Sequence, residues 1–329
     1  MAYSPATNLT TSAGLAHLQQ VYYKKKGLDQ LRKKFVFRQA AMPDVLPKFS
    51  GRTAQFYRYT NLATNTTATT EGTVGTGVSL GSRTLQATVS QYSAFITVSD
   101  FLKDTALDPI VQRAAEELGY SAGLSVDTMT RNVIDAESAG TAQTPLATYA
   151  KVADFRAARH NLQAVDVQGF DGSGEFFAII HPYASYDLVN DPAAGGLGDI
   201  VKYTKPQGTV LTNYEDRGAI GSFGGCRIIE STNVKTGSSP NTYRSYVFGN
   251  EGVGCIDLEG RGPGQVVDPK KQRFKIKVIQ PEASIADPEG VIGAAVAYNF
   301  VFCTVVLDGP ASIGGVYRYK TIDFQSTIS

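Results

Sequence analysis

The chain has 329 residues, 42% of them hydrophobic and 10% aromatic, with a formal net charge of +1. That composition supports a sizeable globular core in two compact domains, or in one elaborated domain with excursions, and it excludes a fibrous or disordered chain. Three cysteines (Cys226, Cys255 and Cys303), far apart and odd in number, argue against a disulfide framework and fit a reducing compartment.

Charge is unevenly spread. Residues 1–60 hold ten Lys/Arg against Asp29 and Asp44, a net +8, which leaves −7 on the remainder. The chain therefore reads as a basic arm on a mildly acidic body. Met1 to Pro5 lack a charged-then-apolar pattern, so no export signal is expected. Residues 12–35 read as a helix, with Leu15, Leu18 and Tyr22 on one side, interrupted at Gly27 and resumed by Leu28, Leu31 and Phe35. Lys24, Lys25, Lys26, Arg32, Lys33 and Lys34 occupy its solvated remainder, and Pro43 and Pro47 are expected to end regular structure.

Two strand-like runs follow, 54–62 and 85–99, around a connection with nine Thr from Thr60 to Thr84 and glycines at 72, 75, 77 and 81. At about 3.3 Å per residue the second run alone could extend roughly 45 Å. A two-stranded ribbon projecting that far cannot bury its faces or pair its edges alone, so it needs other copies of the chain. Asp108-Pro109 then starts a long helix, predicted over 108–136, with apolar or small residues at 111, 115, 118, 122, 126, 129 and 133. Gly119 and Gly123 inside it imply a bend or a closely approaching neighbour.

The next portion reads as mixed helix and strand: a helix over 146–164, a turn at Asp171-Gly172-Ser173-Gly174, a strand over 175–180 and a short helix over 182–190. Residues 192–224 are loop-rich, and strands are predicted over 226–230 and 243–248. Near the end, Arg273, Lys275 and Lys277 alternate with Phe274, Ile276 and Val278, a strand with one basic and one buried face. The uncharged run 291–307 is its natural partner. It is short for a membrane span, and its Val, Phe, Tyr and Ile content predicts a strand buried on both faces.

The catalytic inventory is thin. His181 stands at a strand end before Pro182, where a polar terminator is the ordinary reading; His17 and His160 have no partner motif, and His160 sits on a polar face beside Arg156 and Arg159. Cys226 and Cys255 lack a flanking nucleophile signature and read as buried small residues. Gly252-Val253-Gly254 lacks the third glycine of a dinucleotide loop, and 171–175 lacks the spacing of a calcium loop. No enzyme activity, cofactor or metal is expected. The basic arm remains, with Tyr22, Tyr23, Phe35 and Phe37 interleaved: it suits either nucleic-acid phosphates or an acidic protein surface.

The strings themselves carry a resemblance. "ATVSQYSAFITVSDFLKDTALDPIVQRAAEELGYSAGLSVDTMTRNVIDA", followed in order by "FAIIHPYASYDLVND", "GGCRIIESTNV" and "YVFGNEGVGCIDLEG", resembles the major capsid proteins of tailed bacteriophages, most nearly those of N4-like podoviruses. The resemblance implies an α+β fold of the Hong Kong 97 type. It places an N-terminal arm at 1–49, an extended E-loop at 50–98, a peripheral domain at 99–145 and 261–329 with the spine helix at 108–136, and an axial domain at 146–260.

It further implies a structural protein that self-assembles through hexamers and pentamers into an icosahedral shell around double-stranded DNA. Such a shell would form in the host bacterial cytoplasm, with separate scaffolding, portal and decoration proteins as partners and no membrane. Subunit-interface or DNA-facing residues are then expected among Lys24, Lys25, Lys26, Arg32, Lys33, Lys34, Arg52, Phe56, Tyr57, Tyr59 and Tyr92. The alternatives are an encapsulin-like compartment of the same fold and, from another class, a hydrolase built on 140–260.

Overall fold

One strand of fifteen residues gathers most of the first sheet around itself. The structure, a computed structural model, describes residues 35–75, 77–106, 109–137, 149–170, 174–190, 222–223, 225–237, 242–260, 276–279, 291–307 and 317–325. The predicted helix at 12–35 and the six cations at 24–26 and 32–34 lie outside them, apart from Phe35.

In chain order the strands are β1 (Met42–Leu46), β2 (Thr53–Tyr59), β3 (Ser82–Thr88), β4 (Ser90–Ser99), β5 (Phe176–Ile180), β6 (Ser222–Phe223), β7 (Cys226–Glu230), β8 (Thr242–Phe248), β9 (Val253–Leu258), β10 (Ile276–Ile279), β11 (Ile292–Val306) and β12 (Tyr319–Gln325). The helices are α1 (Asp100–Thr105), α2 (Ile110–Ala136), α3 (Val152–Gln163) and α4 (Pro182–Val189), with a 3-10 turn at Phe37–Ala40.

β11 is the uncharged run, and it is a strand as its β-branched and aromatic content predicts. β4 pairs antiparallel along it from Ile292↔Ser99 to Phe302↔Ser90. β10 pairs with Ala295–Tyr298, and β9 with Phe302–Val306. Because Phe302 pairs with both Ser90 and Asp257, β4 and β9 occupy opposite edges of β11. Ala294, Val296, Tyr298, Phe300 and Phe302 are buried on one face, while most residues between them are half-buried. The expected partnership with the basic strand holds, and Lys277 and Val278 are both exposed, so of the face predicted to be buried Val278 is open in one copy.

β1 pairs parallel with β9 from Met42↔Gly254 to Leu46↔Leu258. It contains Pro43, which was expected to stop regular structure. As the outermost strand, β1 tolerates the missing amide donor there.

α2 lies between the two sheets. Its 27 residues span about 40 Å at 1.5 Å per residue. It begins at Ile110 with Pro109 in the cap position, and Asp108 lies outside the described residues. The buried stripe is Ala114, Leu118, Ala122, Gly123, Val126, Asp127, Thr130, Ile134 and Asp135. It is rotated from the predicted face because it includes three polar side chains. Gly123 is present because a neighbour approaches: a β-carbon there would lie 2.8 Å from Cε2 of Phe35.

The second sheet runs β12-β8-β5-β7-β6. Its α3 and α4 face packs Phe176, Ala178 and Ile180 with Phe155, Leu162 and Leu188. Its other face turns Ile179, Tyr246, Phe248 and Tyr319 into the core that holds α2 and the buried side of β11.

Polar side chains of α2 make the joint between these layers. Asp127 Oδ1 accepts from the Val36 amide at 2.9 Å and the Phe37 amide at 2.8 Å. Its Oδ2 accepts from Asn233 Nδ2 at 2.8 Å, while Arg131 donates to the Asn233 carbonyl at 3.0 Å. About two turns on from Asp127, Asp135 Oδ1 accepts from Tyr246 Oη at 2.8 Å and Arg244 at 3.3 Å. Arg244 grips Asp323 through one guanidinium edge, Nε donating to Oδ1 at 2.6 Å and Nη2 to Oδ2 at 2.7 Å. Tyr319 Oη donates to the Ile134 carbonyl at 3.1 Å.

Asp127→Ala is expected to strand two buried amides and lower subunit stability by about 3 kcal/mol, read by denaturant unfolding of the unassembled subunit. Asp127→Asn keeps one acceptor but turns a donor toward Asn233, so an intermediate loss is expected. Equal stability for wild type and Asp127→Ala would show that the joint lies elsewhere.

Candidate assembly surface

β2 and β3 form a two-stranded antiparallel ribbon with pairs running from Thr53↔Thr88 to Tyr59↔Ser82. Neither strand pairs with any other among the described residues, so both outer edges are open. The predicted second run, 85–99, divides at Val89. Its first part belongs to the ribbon and its second, β4, to the main sheet. The buried Val89 donates its amide to the Arg52 carbonyl at 2.9 Å, which turns the chain from one sheet into the other.

The ribbon is rooted in its own molecule on one side. Ala54, Ala87 and Val89 pack with Leu46, Ile256 and Val301, and Phe56 lies half-buried against them. Phe56 therefore contacts its own core, which differs from the outward placement expected of it. Arg58 pairs with Glu251 at 3.1 Å, and Arg318 reaches the same carboxylate oxygen at 3.2 Å. An open cleft of about 540 Å3 lies between this root and the body, and Arg58, Arg83 and Arg318 line it.

Beyond the root nothing covers the ribbon. Every described residue from Tyr59 to Ser82 is exposed. Tyr57 and Tyr59 border the cleft yet are 70% and 59% exposed, with their rings 6.3 Å apart. Arg52 is exposed, and its backbone carbonyl holds Val89. Tyr92 is partly exposed on β4 and stacks on the buried Phe300 at 5.6 Å. β4 presents a second open edge: among the described residues it pairs with β11 alone, and Phe95 is 72% exposed. Phe101 and Leu102 of α1, which follows directly, are also exposed. A long apolar edge strand of this kind is a template for another chain.

The candidate chemical residues are separated from one another. His181 caps α4, its Nδ1 accepting from the Tyr183 amide at 3.2 Å while its ring stacks on Tyr243 at 4.2 Å. Burial depresses its imidazole to about 4. Burial pushes the thiols of Cys226 and Cys255 up to about 11, so both are protonated at neutral pH and poor nucleophiles. Cys255 instead packs beside Thr130 and Thr304. Gly252 and Gly254 bracket the start of β9 and open no helix. Among the described residues there is no group of three or more His, Cys, Asp or Glu placed to hold a metal, and no helix is long and apolar enough to cross a membrane.

A protein-family model described as phage capsid protein matches residues 79–308 of the chain. No curated protein sequence matches it. Among solved structures, the chain is similar to the capsid structure of cyanophage P-SCSP1u at 15% identity, covering 100% of both chains with a TM-score of 0.63. It is similar to the capsid of Ralstonia phage GP4 at 12% identity and a TM-score of 0.67, covering 94% of this chain and 96% of that one. The capsid of Helicobacter pylori bacteriophage KHP30 is similar at 9% identity and 0.60, over 97% and 98%. The fold is thus α+β, of the Hong Kong 97 type shared by these phage capsids.

One pH dependence follows from the cap. The folded pKa of His181, about 4, lies below its ordinary 6.5, so the folded state resists protonation. The stability this gives is complete above pH 6.5 and is lost as pH falls toward 4. His181→Asn, which retains a cap acceptor but cannot titrate, is expected to flatten the thermal-unfolding midpoint of the subunit across that window. An unchanged pH profile in the variant would remove His181 as the cause.

Proposed function

The chain belongs to the phage capsid protein family, and from that membership we propose that it is a major capsid protein whose copies close into an icosahedral shell around double-stranded DNA. The single observation that carries the reading is the ribbon. It is held at its root by Arg58 and Phe56, yet from Tyr59 to Ser82 every described residue is exposed, with both strand edges open. A segment so rooted and so uncovered has its partners on adjoining copies. Each 100 Å2 of apolar area covered there contributes about 2.5 kcal/mol, so the assembled state supplies stability that one thin subunit lacks.

Within that proposal the copies associate as hexamers and pentamers, in the host bacterial cytoplasm. Scaffolding, portal and decoration functions belong to separate proteins. The strings at 87–136, 177–191, 224–234 and 246–260 favour an N4-like podovirus lineage. The notional divisions stand with it: an arm at 1–49, an E-loop at 50–98, peripheral segments at 99–145 and 261–329, and an axial unit at 146–260. Lys24, Lys25, Lys26, Arg32, Lys33 and Lys34 face either the phosphates of packaged DNA or the acidic surface of a neighbour. The exposed Arg52, Tyr57, Tyr59 and Tyr92 are offered to adjoining copies.

Replacing residues 61–80 with Asn-Gly would leave a two-residue hairpin between Thr60 and Gly81, whose backbone groups already bond at 2.8 Å. The expected product is a folded subunit that forms no particles by sedimentation and negative-stain imaging. Particles as abundant as those of the full chain would count against the ribbon as the assembling element. Substituting all six arm cations by Gln is expected to make particles lose DNA at lower salt. Unchanged DNA retention would assign those cations to protein contacts.

A further inference from the structure

Two unmatched charges lie at opposite ends of the ribbon. Within residues 50–98 the ionisable side chains of Arg, Lys, Asp and Glu are Arg52, Arg58, Arg83 and Glu71, so Glu71 is the one acid of the segment. It stands at the apex. Thr73 donates its amide to the Thr70 carbonyl at 3.1 Å, and Gly72 takes a φ of 84° at the turn position that demands it. The turn therefore presents Glu71 midway between Thr60 and Gly81, beside a fully exposed Val74. Among the described residues Glu71 has no ion-pair partner.

Arg83 stands at the root, directly across the ladder from Arg58. Like charges at opposed positions on one ribbon face repel. Glu251 offsets part of this, but the same carboxylate oxygen already serves Arg58 and Arg318. The cleft that these three arginines line is otherwise countered only by the exposed Asp166 among its lining residues. Arg83 forms no ion pair among the described residues. It is half-buried, which strengthens any charge pair it makes relative to a fully solvated one.

Resting on the shell reading above, we propose that the ribbon apex of one copy seats Glu71 in the root cleft of a second copy, against Arg83 and Arg58. The two groups form no ion pair within one copy among the described residues, and every described residue of the loop from Tyr59 to Ser82 is exposed there. From the Thr60–Gly81 neck to Glu71 the chain can reach roughly 35 Å, ample to cross onto a neighbour. The contact is head-to-tail: every copy gives an apex and receives one. Such a contact closes into rings when the rotation between copies permits. Val74 enters with the acid and covers Leu85 and Leu307 at the cleft wall.

A charge-swap series tests the pairing in the full chain. Glu71→Arg and Arg83→Glu are each expected to lose assembly at a concentration where the wild type forms particles, and the double variant Glu71→Arg/Arg83→Glu to recover it. Circular dichroism of each unassembled subunit should match the wild type; thermal unfolding should be unchanged for the exposed Glu71 variants and unchanged or raised for Arg83→Glu, which faces Arg58 across the ladder. The milder Glu71→Gln and Arg83→Gln are expected to weaken assembly, with little further loss when combined. Single variants that assemble like the wild type, or a double variant that does not recover, would overturn the pairing while leaving the shell intact. Absence of particles from the wild type itself would overturn both readings.

Discussion

A single carboxylate holds the layers of this subunit together. Asp127 sits inside the stripe of α2 that faces the core, where burial works against its charged form and raises its pKa, opposed by the hydrogen bonds from Asn233, Phe37 and Val36. An ionised or protonated carboxyl so placed is tolerable because its lone pairs are filled from two directions. The amides of Val36 and Phe37 come from the chain leaving the arm; the amide of Asn233 comes from the loop after β7. The arm's exit, the long helix and the second sheet therefore share one polar joint. Phe35, just before these amides, packs its ring against the helix at Gly123, within 2.8 Å of where a β-carbon would stand.

Above that joint the two sheets are treated differently. The second sheet is covered on both faces, by α3 and α4 on one and by α2 on the other, and behaves as an ordinary domain core. The first sheet is covered by α2 on one face and by the ribbon root at one end of the other. Among the described residues its β4 edge, the outer edge of β10 and the ribbon stay unpaired. A subunit that leaves so much strand edge unpaired is either an aggregation hazard or a component. Membership of the phage capsid protein family selects the second.

Much of the local structure is legible in the sequence. The 3.6-residue spacing from Val111 to Val133 identifies α2, and the uncharged β-branched run identifies β11, because local pattern alone sets those periods. What escapes is whatever depends on distant partners. Asp127 and Asp135 look like solvent-facing positions until the amides, guanidinium and hydroxyl that meet them are brought in from 90 to 111 residues away, and Thr130 until Cys255 and Thr304 arrive from 125 and 174 residues away. The presence of these three polar side chains within an otherwise apolar stripe is the one signal that could have found them. The handover at Val89 leaves a trace that is easily passed over: apolar residues fall at the odd positions 85, 87 and 89 and then at the even positions 92, 94, 96 and 98, a change of phase across Ser90-Gln91. Pro43 hides β1, because edge position excuses a missing donor and edge position is a tertiary property. The root cluster of Arg58, Glu251 and Arg318 is invisible for the same reason, and the sequence reading did not separate the half-buried Phe56 from the exposed Tyr57 and Tyr59.

The handover at Val89 has a mechanical consequence. Tension on the ribbon passes directly into β4, whose ladder to β11 runs from Ser90↔Phe302 to Ser99↔Ile292 along the line of pull. Force in that direction shears the whole ladder at once, where a perpendicular pull would peel its bonds in succession. Stress from a tethered neighbour is thereby spread along the longest strand of the molecule and into the helix resting on it.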